Sequence, residues 1–149
     1  MAAADDQLET FIARFTPEVA AVARTVLKKL ARRLPAANRI VYDNYNALAI
    51  GFCVGEKQAG VILSVALYPR WTSLFFFGGP HLPDPEKRLK GSGSKVRHIV
   101  LKSAADLDEP AVSALIDAAI ARADPPLPKS GKGVTIIKSI SANQRPRRP

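Results

Sequence analysis

The sequence is poor in the residues that most often advertise a function. Its 149 residues include one cysteine, one tryptophan and two histidines. Cys53 cannot form an internal disulfide, which excludes a disulfide-stapled scaffold and fits a reducing compartment. His81 and His98 stand apart from Cys53 and from each other, without paired carboxylates, so no metal-ligand spacing is present. No segment approaches the ~20 apolar residues of a membrane helix. The opening residues MAAADDQLET carry neither the basic start nor the apolar run of a secretory signal. A soluble cytoplasmic protein is expected. Acidic residues are missing after Asp124.

That last absence shapes the charge. The net charge is +9, and six basic residues after Asp124 leave only +3 for residues 1–124. The body is mildly basic and the tail dominates. A basic tail can hold phosphates non-specifically, or it can serve as a solvated end.

What is present reads as one folded unit. A length of 149 residues and 47% hydrophobic content suffice for a proper core. Asp5 or Asp6 suits the start of a first helix, in which Leu8, Phe11, Ile12 and Phe15 recur at helical spacing. Thr16-Pro17 restarts the pattern as N-cap and first helical residue. Val19, Val22, Val26, Leu27, Leu30 and Leu34 then form one apolar stripe, with Arg24, Lys28, Lys29 and Arg32 off it. Pro35 stops the helix.

Strands follow at 39–43, 47–54, 59–68, 71–77 and 95–101, with one more at 134–140 in the tail. In the second strand Leu48, Ile50, Phe52 and Val54 share one face and Ala47, Ala49, Gly51 and Cys53 the other. The large face is expected under a helix. The small face lets a side chain or ligand approach the sheet. By the same alternation Trp71 joins Ser73, Phe75 and Phe77, and His98 joins Val96 and Val100; both sets are expected to face inward. Asp84-Pro85 is expected to start a short helix over 86–90, and Pro110 a last helix to about Ala123. Residues 102–109 read as a polar, acidic loop.

Strand runs bracketed by helices, without βαβ alternation, give an α+β fold. The expectation is an antiparallel sheet of about five to six strands packed against N- and C-terminal helices. Residues 1–124 form the domain and 125–149 a basic tail with one possible edge strand before the disordered-looking NQRPRRP; exposure of that strand makes a homodimer as conceivable as a monomer.

The sharpest candidate site is Lys90 to Lys95, KGSGSK. Glycine backbone N–H groups can converge on an anion while lysines supply charge, although the order is not that of a P-loop. A plain connector of helix to strand has the same composition. Arg70 and Trp71 beside Tyr68 form a cation-plus-aromatic group able to stack a planar ring. Tyr42 and Tyr45 flank Asp43 and Asn44 at a turn and can rim a pocket. Cys53 reads as a buried small hydrophobe. Ser92 or Ser94 with His98 and Asp43 lacks any nucleophile-elbow sequence. The acid–base inventory is thin, which weighs against an enzyme, and no cofactor is implied.

A set of motifs carries a family resemblance across residues 8–123. Tyr42 before a short turn, Leu67-Tyr68-Pro69, the Leu89-Lys90-Gly-Ser-Gly-Ser-Lys95 run into Val96–Val100, an acidic loop and a Pro-initiated helix together resemble the YdhG-like family of bacterial domains of unknown function. The resemblance implies a small α+β sandwich with helices over an antiparallel sheet, sometimes compared with frataxin, and an iron-chaperone role considered for some members. Iron delivery calls for an acidic helix ridge of hard ligands. Here Asp5, Asp6, Glu9 and Glu18 are diluted by Arg14, Arg24, Lys28 and Lys29.

The function expected from the residues is therefore binding of a small anionic or phosphorylated ligand. Tyr42, Tyr68, Arg70, Trp71, Ser92, Ser94, Lys95 and Arg97 are the candidate contacts. The alternatives are nucleic-acid association through the tail and, more weakly, iron delivery. No membrane partner is expected.

Overall fold

A computed structural model describes residues 2–149. Helix α1 (Ala3–Ala13) and helix α2 (Pro17–Arg33) lead into β1 (Asn38–Asp43), β2 (Leu48–Cys53), β3 (Val61–Leu67) and β4 (Thr72–Phe77). Strand β5 (Val96–Leu101), helix α3 (Pro110–Ala121) and β6 (Thr135–Ile140) complete the chain. The six strands form one sheet in the order β5-β4-β3-β2-β1-β6.

The helices start where local chemistry allows. Thr16 accepts a hydrogen bond from the Val19 N–H at 3.3 Å, and Pro17 occupies the first turn where its missing N–H costs nothing. Helix α1 begins earlier than expected, at Ala3, so Asp5 and Asp6 lie in its first turn and complement the dipole there instead of capping it.

Strands β1 to β5 form the expected antiparallel meander. Strand β6 departs from it by joining β1 in parallel, so the sheet is mixed. After α3 the chain re-enters at the beginning of β1, where the Gly133 N–H donates to the Pro35 carbonyl at 2.8 Å and Arg39 N–H to the Val134 carbonyl at 2.9 Å. Entry at that end fixes the parallel direction.

The short helix expected over 86–90 is absent. Both Asp84 carboxylate oxygens accept backbone N–H groups, from Arg88 and Leu89 at 2.9 Å each, and hold a turn in place of a helix. A single isolated turn is too short to repay helix nucleation. Residues 102–109, expected as a loop, contain a 3-10 turn (Ala104–Asp108) closed by reciprocal bonds between Ser103 and Asp106.

The three helices contribute to a single core on one side of the sheet. Leu48, Ile50, Phe52, Leu63, Leu74 and Phe76 point into it and pack with the α2 stripe, Phe15 and α3. Trp71 and His98, expected inward, are on the other side. Thr72, Leu74, Phe76, Ile99 and Leu101 are buried, while Trp71 and Val100 are exposed and Phe75 and His98 half-exposed. The alternation was right and the choice of side was reversed, because both faces of β4 carry phenylalanine and alternation alone cannot say which one the helices cover.

Candidate functional site

The side without helices can be followed across the sheet by register. One row runs His98–Phe75–Ser64–Gly51–Ile40–Ile136, and the next Val100–Ser73–Ala66–Ala49–Tyr42–Ser139. Small residues occupy β2 and β3, and rings stand at either side. Cys53, Ile40 and Val61 form a small buried cluster on this face, beside Tyr42, Phe77 and Ile136. The Cys53 thiol is pushed up from its ordinary 9.0 by burial, against the opposing charge of Lys138. It stays a neutral small hydrophobe, as its sequence position implied.

At the foot of the face, β3 and β4 are joined through Pro69 and Arg70. The Tyr68 N–H donates to the Trp71 carbonyl at 2.9 Å. This turn brings the two rings together, stacked at 4.8 Å between centroids with 18° between planes. Partial burial pushes the Tyr68 hydroxyl above its ordinary value, so the phenol is neutral and able to donate.

The C-terminal residues complete the site: most of them are exposed, as a solvated end would be, but Arg147 is not. Arg147 is 4% exposed. Its Nη2 donates to Asp43 Oδ1 at 2.8 Å and to the Asn44 carbonyl at 2.6 Å, and the guanidinium lies 5.6 Å from the Phe15 ring centroid. Arg14 reaches the other Asp43 oxygen at 3.5 Å. Gln144 donates to the Asp43 carbonyl, and Arg148 Nε donates to the Arg14 carbonyl at the end of α1. Asp43, the sole carboxylate in any strand, explains why the chain returns: a buried charge needs a partner, and Arg147 supplies it.

Anchored in this way, the terminal segment forms the second wall of a cleft of about 620 Å³. Tyr68, Arg70 and Trp71 line one side, Arg145 and Arg148 the other, with Asn46 between them. No aspartate or glutamate lines it. Three arginines around a stacked aromatic pair suit an anion attached to a planar group. A neighbouring trough of about 520 Å³ lies on the sheet face above, sharing Tyr68 and Asn46 with the cleft.

The structure thus brings together Tyr68, Arg70 and Trp71 and separates them from the other candidates. Ser92, Ser94 and Lys95 belong to the exposed loop before β5. That loop meets β4 at Phe77 and Gly78, where the Gly78 N–H donates to the Lys95 carbonyl at 2.6 Å. Five residues of extended strand separate Phe77 from Thr72, or about 17 Å. Arg97, on β5, donates to the Gly93 carbonyl of the loop before it, and its stem packs beside Gly79. Tyr42 stands on β1 in the second row, outside the cleft. A single site holding all eight residues does not form, because antiparallel pairing puts the β3–β4 turn and the β5 entry at opposite ends of β4.

Arg145, Arg148 and Asn46 were missed. The first two lie more than seventy residues from Trp71 in sequence, and no local periodicity links them. One signal was available: Asp43 alternates with Val41 on the helix-facing side of β1, where an unpaired carboxylate is untenable.

No helix among the described residues is long and apolar enough to cross a membrane. No protein-family model, curated protein or solved structure matches the chain.

Proposed function

We propose that the chain is a cytoplasmic binding module, not a catalyst, and that it takes a small anionic or phosphorylated ligand in the cleft beside Tyr68 and Trp71. The observation that carries this reading is the lining itself: Arg70, Arg145 and Arg148 with a stacked Tyr–Trp pair and no aspartate or glutamate. Arg148 already donates to the α1 carbonyls, so Arg70 and Arg145 are the contacts assigned to the anion. Guanidinium forks bind phosphate or carboxylate oxygens in pairs, and the aromatic wall accommodates whatever flat group is attached.

Trp71 is the sole tryptophan, so tryptophan fluorescence comes from one position, which borders this cleft and a smaller groove against α2. Titration with pyrophosphate and with a nucleoside monophosphate is expected to quench it saturably. Arg70→Ala with Arg145→Ala is expected to remove the response, and Lys95→Ala to leave it intact. Quenching that survives the double arginine variant would sink the reading.

Kinship with the YdhG-like domains is part of the same proposal, supported by helices packed against a sheet. Iron delivery gains no support from the surface. Glu9, Asp108, Asp117 and Glu109 are each engaged by an arginine or lysine. No group of three His, Cys, Asp or Glu side chains gathers among the described residues.

A further inference from the structure

The strands' uncovered side carries an independent inference, resting on residues other than the cleft arginines. Strands β1 to β6 hold a single carboxylate, Asp43, and it is turned to the helix layer between Arg14 and Arg147. The open side therefore carries no strand carboxylate. It does carry cations at both edges. Lys90 pairs with His98 in an isolated antiparallel bridge, with bonds of 2.8 and 3.0 Å, which puts its side chain on the His98 side. At the far edge Lys138 is the residue skipped at the bulge of β6 against β1, between Ile137 opposite Val41 and Ser139 opposite the open-side Tyr42, and its charge acts on Cys53 of this face. On the helix side Arg24, Lys29, Arg33 and Arg88 are held in ion pairs, while Lys28 and Arg32 of α2 make none among the described residues.

Between those cations the surface is built for flat rings. His98 and Phe75 sit 5.2 Å apart with 32° between planes. Phe75, Phe77, Tyr68 and Tyr45 wall the trough, while Ala49 and Ala66 give it a floor low enough for a ring to approach the backbone. Asn44, Asn46 and Ser64 put amide and hydroxyl groups along it, able to pair with the edge of a base. Half-exposed rings on a sheet, amides at their edges and cations at the margins are the features that single-stranded nucleic acid needs. Bases stack on the rings and the backbone follows the charge. A second copy docked face to face would oppose cation to cation. A duplex hides its base faces and offers the rings nothing to stack on.

We propose that this sheet face binds single-stranded nucleic acid, with Phe75 and His98 as stacking residues and Lys90 and Lys138 as phosphate contacts. The basic tail acts differently from a free arm: Arg147 is buried, Arg148 is bonded to α1, and Lys138 belongs to the sheet.

Fluorescence anisotropy with labelled ten-nucleotide oligo-U and oligo-dT, and with a duplex of equal length, tests the idea on the full chain. The single strands are expected to bind and the duplex to bind at least tenfold more weakly. Phe75→Ala with His98→Ala is expected to weaken binding about tenfold or more, as loss of base stacking does. Lys90→Gln with Lys138→Gln, exposed changes that leave the core alone, is expected to lower the slope of log affinity against log salt by about 1.4, at about 0.7 per phosphate contact. Lys28→Gln with Arg32→Gln, on α2, is the control and is expected to change neither. Absence of single-strand binding at low salt overturns the proposal. So does equal binding of duplex, an equal effect of the α2 control, or a dimer in sedimentation that Phe75→Ala dissociates. Pyrophosphate quenching of Trp71 is read separately, so failure here and failure of the cleft are distinguishable.

Discussion

The two faces of the sheet differ in what happens to neighbouring residues of one type. Phe76 is fully buried beneath the helices, and Phe75, next to it, stands half-exposed on the other side. The large residues of the helix side join one core with the helices, and the one carboxylate there is neutralised by two arginines. On the open side, small residues and rings shield one another and no second layer arrives. Stability resides in the first face. Binding chemistry is concentrated on the second and at its foot.

The largest expected effect tests that division directly. Phe76→Ala is expected to cost about 3–5 kcal/mol in urea unfolding, as large-to-small core changes do. Phe75→Ala is expected to cost less than about 1.5 kcal/mol, because its ring gives up only partial burial. Similar losses from both would mean that the open face is covered in solution.

Asp43→Ala comes next. It leaves the Arg147 guanidinium buried without a carboxylate, and a loss of about 3 kcal/mol is expected. Arg147→Leu added to it should recover part of that loss by removing the stranded charge. Failure to recover would mean that Arg147 works mainly by holding the terminal segment on the cleft.

Gly133→Ala sharpens the role of the β6 edge. A Cβ there would lie 1.7 Å from the Ala37 carbonyl oxygen, so the strand must shift to admit it. A loss of about 1–3 kcal/mol is expected, with faster amide exchange confined to β6 and β1. An unchanged exchange pattern would show that the close approach is dispensable.

The smallest effect concerns Cys53. Burial holds its thiol neutral and raises its pKa, so the unfolded chain releases this proton first. The stability contribution is complete below the ordinary 9.0 and is lost as pH rises through the folded value. Iodoacetamide at pH 8 is expected to label the native protein far more slowly than the unfolded one. Rapid native labelling would show that Ile40 and Val61 do not shield the open face.

Much of the architecture was legible in local pattern. The Thr16-Pro17 restart, the α2 stripe, the large face of β2 and the Pro110 helix all follow from spacing that depends only on neighbouring residues. Half of the cleft was legible too, since Tyr68, Arg70 and Trp71 are a turn apart. Its other half was not. Arg145 and Arg148 arrive through a parallel strand and a buried ion pair, which no periodicity encodes. The Gly/Ser loop drew attention through composition, yet the register of β4 with β5 carries it to the far end of the strand.

The residue order by itself determined which segments become helix or strand and which residues alternate together, because those properties follow from backbone geometry over a few residues. Tertiary structure alone decided which face of β4 the helices cover, that β6 runs parallel to β1, and that Arg147 closes over Asp43. Each of these is a choice between burial arrangements that only the competition among distant segments for the same core can settle.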